Sequence, residues 1–122
     1  MLREVNEIVL RQHPNTTVTS IVGTINQNKQ ILQYACAGHQ PPILARSREE
    51  EAQAEPFGGI PLGVRGDLHE VQTITVPSVQ DMVIALYTDG VTEALRDSTA
   101  TERIICKLLP RYVKDITTGH LA

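Results

Sequence analysis

The stretch "VIALYTDGVTEAL" (83–95) is an apolar run that stops at Asp89-Gly90 and passes into a segment of helical character. Two readings compete for it. An Asp-Gly pair after an apolar strand is a common hairpin signal, because both residues tolerate positive φ. Asp89 would then only turn the chain, and "VTEALRDS" (91–98) would return as a strand, which it does not resemble. In the second reading Asp89 presents a carboxylate at the C-terminal end of a buried strand. The sheet holds its backbone, and Gly90 lets the chain leave without crowding the site. An oxygen ligand of that kind suits hard Mg²⁺ or Mn²⁺.

The surroundings bear on the choice. Downstream, "TATERIICKLLPRYV" (99–113) places Ile104, Ile105, Leu108, Leu109 and Tyr112 on one helical face, with Pro110 expected to kink or end the helix. Upstream, "HEVQTITV" (69–76) alternates and reads as a strand, joined by "PSVQD" (77–81) to a strand over "MVIALYT" (82–88). "TTVTSIVGTI" (16–25), the polar turn "NQNK" (26–29) and "QILQYACA" (30–37) read as a hairpin. The prolines of "GHQPP" (38–42) make a loop, "ILAR" (43–46) a third short strand, and "SREEEAQAE" (47–55) a solvated loop. "PFGGIPLGVRGD" (56–67) is an irregular, partly apolar loop. The chain opens on a helix over "LREVNEIVLRQ" (2–12), with Leu2, Val5, Ile8 and Val9 facing the core and Pro14-Asn15 as its stop. Helix, antiparallel strands and helix, without strand–helix alternation, predict an α+β fold in one domain over 1–122.

Composition narrows the function. A net charge of −3 carries no basic footprint for nucleic acid. No apolar run approaches the roughly 20 residues of a membrane helix, and no signal peptide opens the chain. Cys36 and Cys106 lack paired-ligand spacing and are expected as small core residues of a reduced, cytoplasmic protein. With four aromatics and no Trp, the core rests on Val, Ile, Leu and Ala. His39 reads as a loop histidine that bonds the backbone, and His13, His69 and His120 are too scattered for a zinc site. "GGIPLG" (58–63) matches neither a P-loop nor a dinucleotide fingerprint.

Taken together, "LQYACAGHQPPILAR", "FGGIPLGV" and "DMVIALYTDGVTEA" resemble the SpoIIE-like branch of the PPM family, the metal-dependent protein serine/threonine phosphatases. The three blocks occur in the family's order, and the resemblance covers roughly residues 2 to 96. It implies an antiparallel β-sandwich flanked by helices. It also implies hydrolysis of phosphoserine and phosphothreonine with two Mn²⁺ or Mg²⁺ ions, about 3.5–4 Å apart, activating a shared water. The usual substrate in that branch is a small bacterial regulatory protein, an anti-anti-sigma factor in a partner-switching pathway. The aspartate of the "TDG" block is a metal ligand in the family, which assigns that role to Asp89.

The family's upstream "GD-(S/G)GHG"-like block, whose aspartate bridges both ions, has no match here. Its closing Asp pair is represented only by Asp115 in "VKDIT" (113–117), the second candidate ligand. The chain is therefore expected to be the C-terminal part of a phosphatase domain, incomplete at both ends. Activity would need upstream sequence, and unpaired sheet edges would favour a homodimer. The alternative is a degenerate phosphatase fold that grips a regulatory partner without turnover.

Overall fold

The computed structural model describes residues 1–48, 52–54, 58–64, 66, 71–94 and 96–117. The chain falls into two units, one of residues 1–40 and 57–78, the other of residues 41–56 and 79–122.

The first unit opens with α1 (Leu2–Gln12), which carries Glu4 in its first turn and Arg11 in its last, as the helix dipole favours. His13 N donates to the Val9 carbonyl at 2.9 Å, and Asn15, at φ 69°, turns the chain away. The buried face differs from the expected one. Asn6 and Val9 are buried, whereas Val5 and Ile8 are exposed. The reason is a hydrogen bond: the Asn6 side-chain oxygen accepts from Gly63 N at 2.8 Å, so a polar residue takes the inner position.

β1 (Ser20–Asn26) and β2 (Ile31–Ala37) form the expected hairpin, with Asn26 paired to Ile31 at its tip. The Asn26 side chain closes the turn by accepting from Lys29 N at 3.0 Å. β5 (Ile74–Pro77) lies antiparallel on the other side of β2, so the sheet order is β1-β2-β5. This strand is shorter than the alternation over 69–76 predicts: residues 71–73 lie outside the ladder, and 67–70, with His69, lie outside the described residues. The central strand β2 is buried at Leu32 and from Tyr34 to Ala37; β1 pairs along its whole length and β5 along residues 31–34.

The second unit holds a sheet of order β4-β3-β6, antiparallel throughout. β3 (Ile43–Arg46) is its centre, flanked by β4 (Gln53–Ala54) and β6 (Met82–Ala85). The stretch expected as a solvated loop therefore supplies a short strand, and Ala52 is buried; residues 49–51 and 55 lie outside the described residues. Two helices follow, α2 (Asp89–Glu93) and α3 (Ser98–Thr117). Asp97 caps α3, its side-chain oxygen accepting from Ala100 N at 3.0 Å. Cys106 and Val113 on α3 join Ile43, Ala45 and Ala52 in the core.

Pro110 does not end the helix, which runs on to Thr117. A proline at this position cannot donate to the carbonyl four residues earlier, that of Cys106. The Cys106 carbonyl instead accepts from Ala52 N at 2.8 Å, just ahead of β4. The bond that proline removes from the helix is thus remade across the fold. Cys36 and Cys106 are both buried and outside any disulfide, and burial pushes the Cys36 thiol up, as suits an inert core residue.

Candidate metal centre

Asp89 is placed by the way β6 ends. Residues 82–85 are half-buried and paired to β3. Beyond them Tyr87 turns inward, packing against the core of this unit. Its hydroxyl donates to Glu102 of α3 at 3.4 Å. Burial first, and then the negative Glu102, push the Tyr87 phenol up to about 12. The strand's end is thereby tied to α3 in its neutral form. Thr88 is extended, at φ −107° and ψ 165°, and Asp89 is the first residue of α2.

This geometry removes the hairpin reading. Residues 90 and 91 are helical, and neither Asp89 nor Gly90 has positive φ. Val91 N closes the first turn on the Thr88 carbonyl at 3.0 Å. The Asp89 side chain stands exposed at the start of this helix. Nor does the fold itself require glycine next to it. A Cβ added at Gly90 would meet only the Thr88 hydroxyl, at 3.7 Å, an ordinary contact.

The glycines of the other two motif blocks behave differently. Gly38 of "AGHQPP" has φ +66°, and a Cβ there would sit 2.5 Å from Pro61 Cγ. Its N–H donates to the Gly58 carbonyl at 3.2 Å. Gly63 has φ +85°, and a Cβ there would strike the Thr16 carbonyl and lie 2.8 Å from Val9. Leu62, almost fully buried, exchanges backbone hydrogen bonds with Val18 at 2.8 and 3.0 Å. These two blocks encode the packing of one loop against a strand end and α1. His39 has the structural part expected of it, with Nδ1 2.8 Å from the Gln40 carbonyl, so Nδ1 carries the proton and donates.

Asp115 lies near the end of α3, exposed, on the arc opposite Cys106 and Val113. It is 13 residues beyond Glu102, or roughly 20 Å along the axis at the helical rise. Among the described residues no three His, Cys, Asp or Glu side chains gather into a group able to hold a metal ion. Asp89 has the chemistry of one hard-cation ligand, but the described residues do not complete a donor set for two ions. One buried polar residue that the sequence pattern does not reveal is Asn6. Its only signal is a polar side chain on the apolar face of α1.

The model of one protein family, Stage II sporulation protein E (SpoIIE), matches residues 1–117. A solved structure of the RsbU and RsbW domains of a Mycobacterium tuberculosis protein superposes with a TM-score of 0.77 at 26% identity, covering 93% of this chain and 32% of that one. The phosphatase domain of the cell-fate determinant SpoIIE from Bacillus subtilis, from a manganese-presoaked crystal, superposes at 0.56 with 12% identity, over 87% of this chain and 47% of that one. The second likeness shows the fold alone. This chain thus spans about a third of the first of these structures and about half of the second. No curated protein matches by sequence. The three motif blocks, the mixed helix and antiparallel-sheet fold and the family match agree, and the chain belongs to the SpoIIE family of PPM-type phosphatase domains.

Proposed function

We propose that this chain contributes the Asp89 side of a Mn²⁺- or Mg²⁺-dependent protein phosphatase site. Its substrate is phosphoserine or phosphothreonine on a regulatory protein of the anti-anti-sigma type, within a cytoplasmic partner-switching pathway. One observation carries the reading: Asp89 is an exposed residue at a helix start, shortly beyond a sheet strand, and the chain does not use it to reverse direction. The spare room at Gly90 supports it, because a backbone that needs no glycine for itself leaves clearance for an incoming group. The RsbU–RsbW neighbour supports a protein of the partner-switching class as the partner.

Two bound divalent ions would supply acidified water and charge neutralisation at the phosphoryl group. Asp89 would hold one ion, with Asp115 the weaker candidate for a second position. The remaining carboxylates would come from sequence other than the described residues, in one phosphatase domain shared with these two units. Mn²⁺ titration of the protein and its Asp89→Asn variant, with phosphoserine-peptide hydrolysis followed in parallel, tests the assignment. Mn²⁺ binding weakened at least about tenfold in the variant, together with loss of any turnover, is the expected result. Equal binding by both proteins would remove Asp89 from the metal site.

A second reading has one observation behind it, the lack of a three-acid group among the described residues. In that reading the fold grips a regulatory protein and turns nothing over. Partner binding that is indifferent both to Mn²⁺ and to Asp89→Asn would favour it.

A further inference from the structure

Between β6 and Asp89 the chain has one inward anchor. Three residues, 86–88, separate Ala85, the last of the ladder, from the start of α2. Leu86 is 61% exposed and Thr88 is exposed, while Tyr87 between them packs on the core cluster of Ile43, Ala45, Ala52, Cys106 and Val113. This is the alternation of an extended chain, carried past the last strand pair. Beyond it Asp89, Gly90, Val91 and Glu93 are all exposed.

α2 gives the Asp89 carboxylate little hold of its own. Its five residues fall far short of the roughly 12–15 that an isolated helix needs. It runs beside α3, but among the described residues it buries no side chain there. A metal ligand has to be kept within roughly 0.5 Å of its working position. For Asp89 that hold comes from two residues upstream. The Tyr87 ring sets the depth of the chain, and its hydroxyl, donating to Glu102 of α3 at 3.4 Å, sets the direction. At that length the bond is a modest one, so ring packing is the larger part.

We infer that Tyr87 is a positioning residue for Asp89, with Glu102 fixing the ring it works through. The inference rests on the reading of Asp89 as a metal ligand and adds to it that α3 sets the ligand's place. A tyrosine that only fills the core would affect the stability of its unit as a whole. A positioning tyrosine also changes the start of α2, and the metal affinity, when stability is held.

Two measurements on the whole chain test it. The first needs no metal: hydrogen exchange of the Val91 amide, which bonds the Thr88 carbonyl at 3.0 Å and reports the first turn of α2. The second is Mn²⁺ titration. Tyr87→Phe keeps the ring and loses only the hydroxyl. It should speed Val91 exchange and weaken Mn²⁺ binding, each by roughly threefold to fivefold. Tyr87→Leu, which loses the reach of the ring, should change both by about tenfold or more. Glu102→Ala should match Tyr87→Phe, and Glu102→Gln, which keeps an acceptor oxygen, should recover most of the loss. The Tyr87→Phe/Glu102→Ala double variant should be no worse than either single one. Urea unfolding and exchange of the β3 amides identify changes that merely follow global stability. The inference is overturned by Val91 exchange that stays at the wild-type rate in Tyr87→Leu, by changes at Val91 no larger than those in β3, or by a double variant whose effects add. Mn²⁺ binding that Asp89→Asn leaves unchanged strikes the metal reading instead, and Val91 exchange still decides whether Tyr87 places Asp89.

Discussion

Gly63 and Gly90 each lie in a motif block of the family, and the structure predicts opposite responses to the same substitution. At Gly63→Ala three costs coincide. A left-handed backbone at φ +85° costs a non-glycine residue roughly 1–2 kcal/mol. The new Cβ strikes the Thr16 carbonyl, which is backbone and cannot rotate away, and crowds Val9 Cγ1 at 2.8 Å. Any shift of the loop also lengthens the bond from Gly63 N to the buried Asn6, worth about 1 kcal/mol. Together these exceed about 3 kcal/mol, a large share of the roughly 6–18 kcal/mol that 122 residues ordinarily supply. At Gly90→Ala the backbone is helical, the Cβ meets only the Thr88 hydroxyl at 3.7 Å, and alanine gains up to about 1 kcal/mol of helix propensity. Urea unfolding followed by far-ultraviolet circular dichroism measures both. Gly63→Ala should lower the midpoint steeply, and Gly90→Ala should leave it level or raise it. A Gly63→Ala variant within about 0.5 kcal/mol of wild type, or a Gly90→Ala variant destabilised by more than about 1 kcal/mol, would refute the division into packing and site glycines.

Pro110→Ala should stabilise the chain by less than about 1 kcal/mol, not the roughly 3 kcal/mol of an ordinary interior proline, because Ala52 N already satisfies the Cys106 carbonyl. A gain of 3 kcal/mol in thermal or urea unfolding would show that the cross-fold bond compensates nothing. Tyr87 sets an alkaline limit. Its folded pKa is raised from about 10 to about 12, so its contribution is complete below pH 10 and lost as pH rises toward 12. By pH 11 the wild type should have lost stability that a Tyr87→Phe variant does not lose, read from paired unfolding curves at pH 9 and 11. Parallel pH curves for the two proteins would count against the Tyr87–Glu102 tie.

The elements that could be read early are those whose pattern is local. The hairpin of β1 and β2, the short strand β3 and the helices at each end follow from alternation, turn residues and helical spacing over consecutive residues. The α+β class followed from their order, and the family from three blocks of short motif. Within the candidate site, the break of the chain at Asp89 was also legible, since it depends on an apolar run meeting an Asp-Gly pair.

What the chain kept hidden depends on residues far apart in sequence. Asn6 looks misplaced on an apolar helix face until the loop 57 residues away presents Gly63 N to it. Pro110 looks like a helix end until Ala52 takes over the carbonyl it leaves unbonded. Residues 52–54 look solvated until β3 offers them an edge. Tyr87 gives no sign in sequence of its tie to Glu102. Whether Asp89-Gly90 turns the chain into a hairpin was likewise a tertiary matter. The dipeptide permits both conformations, and in the fold it stands at the start of a helix.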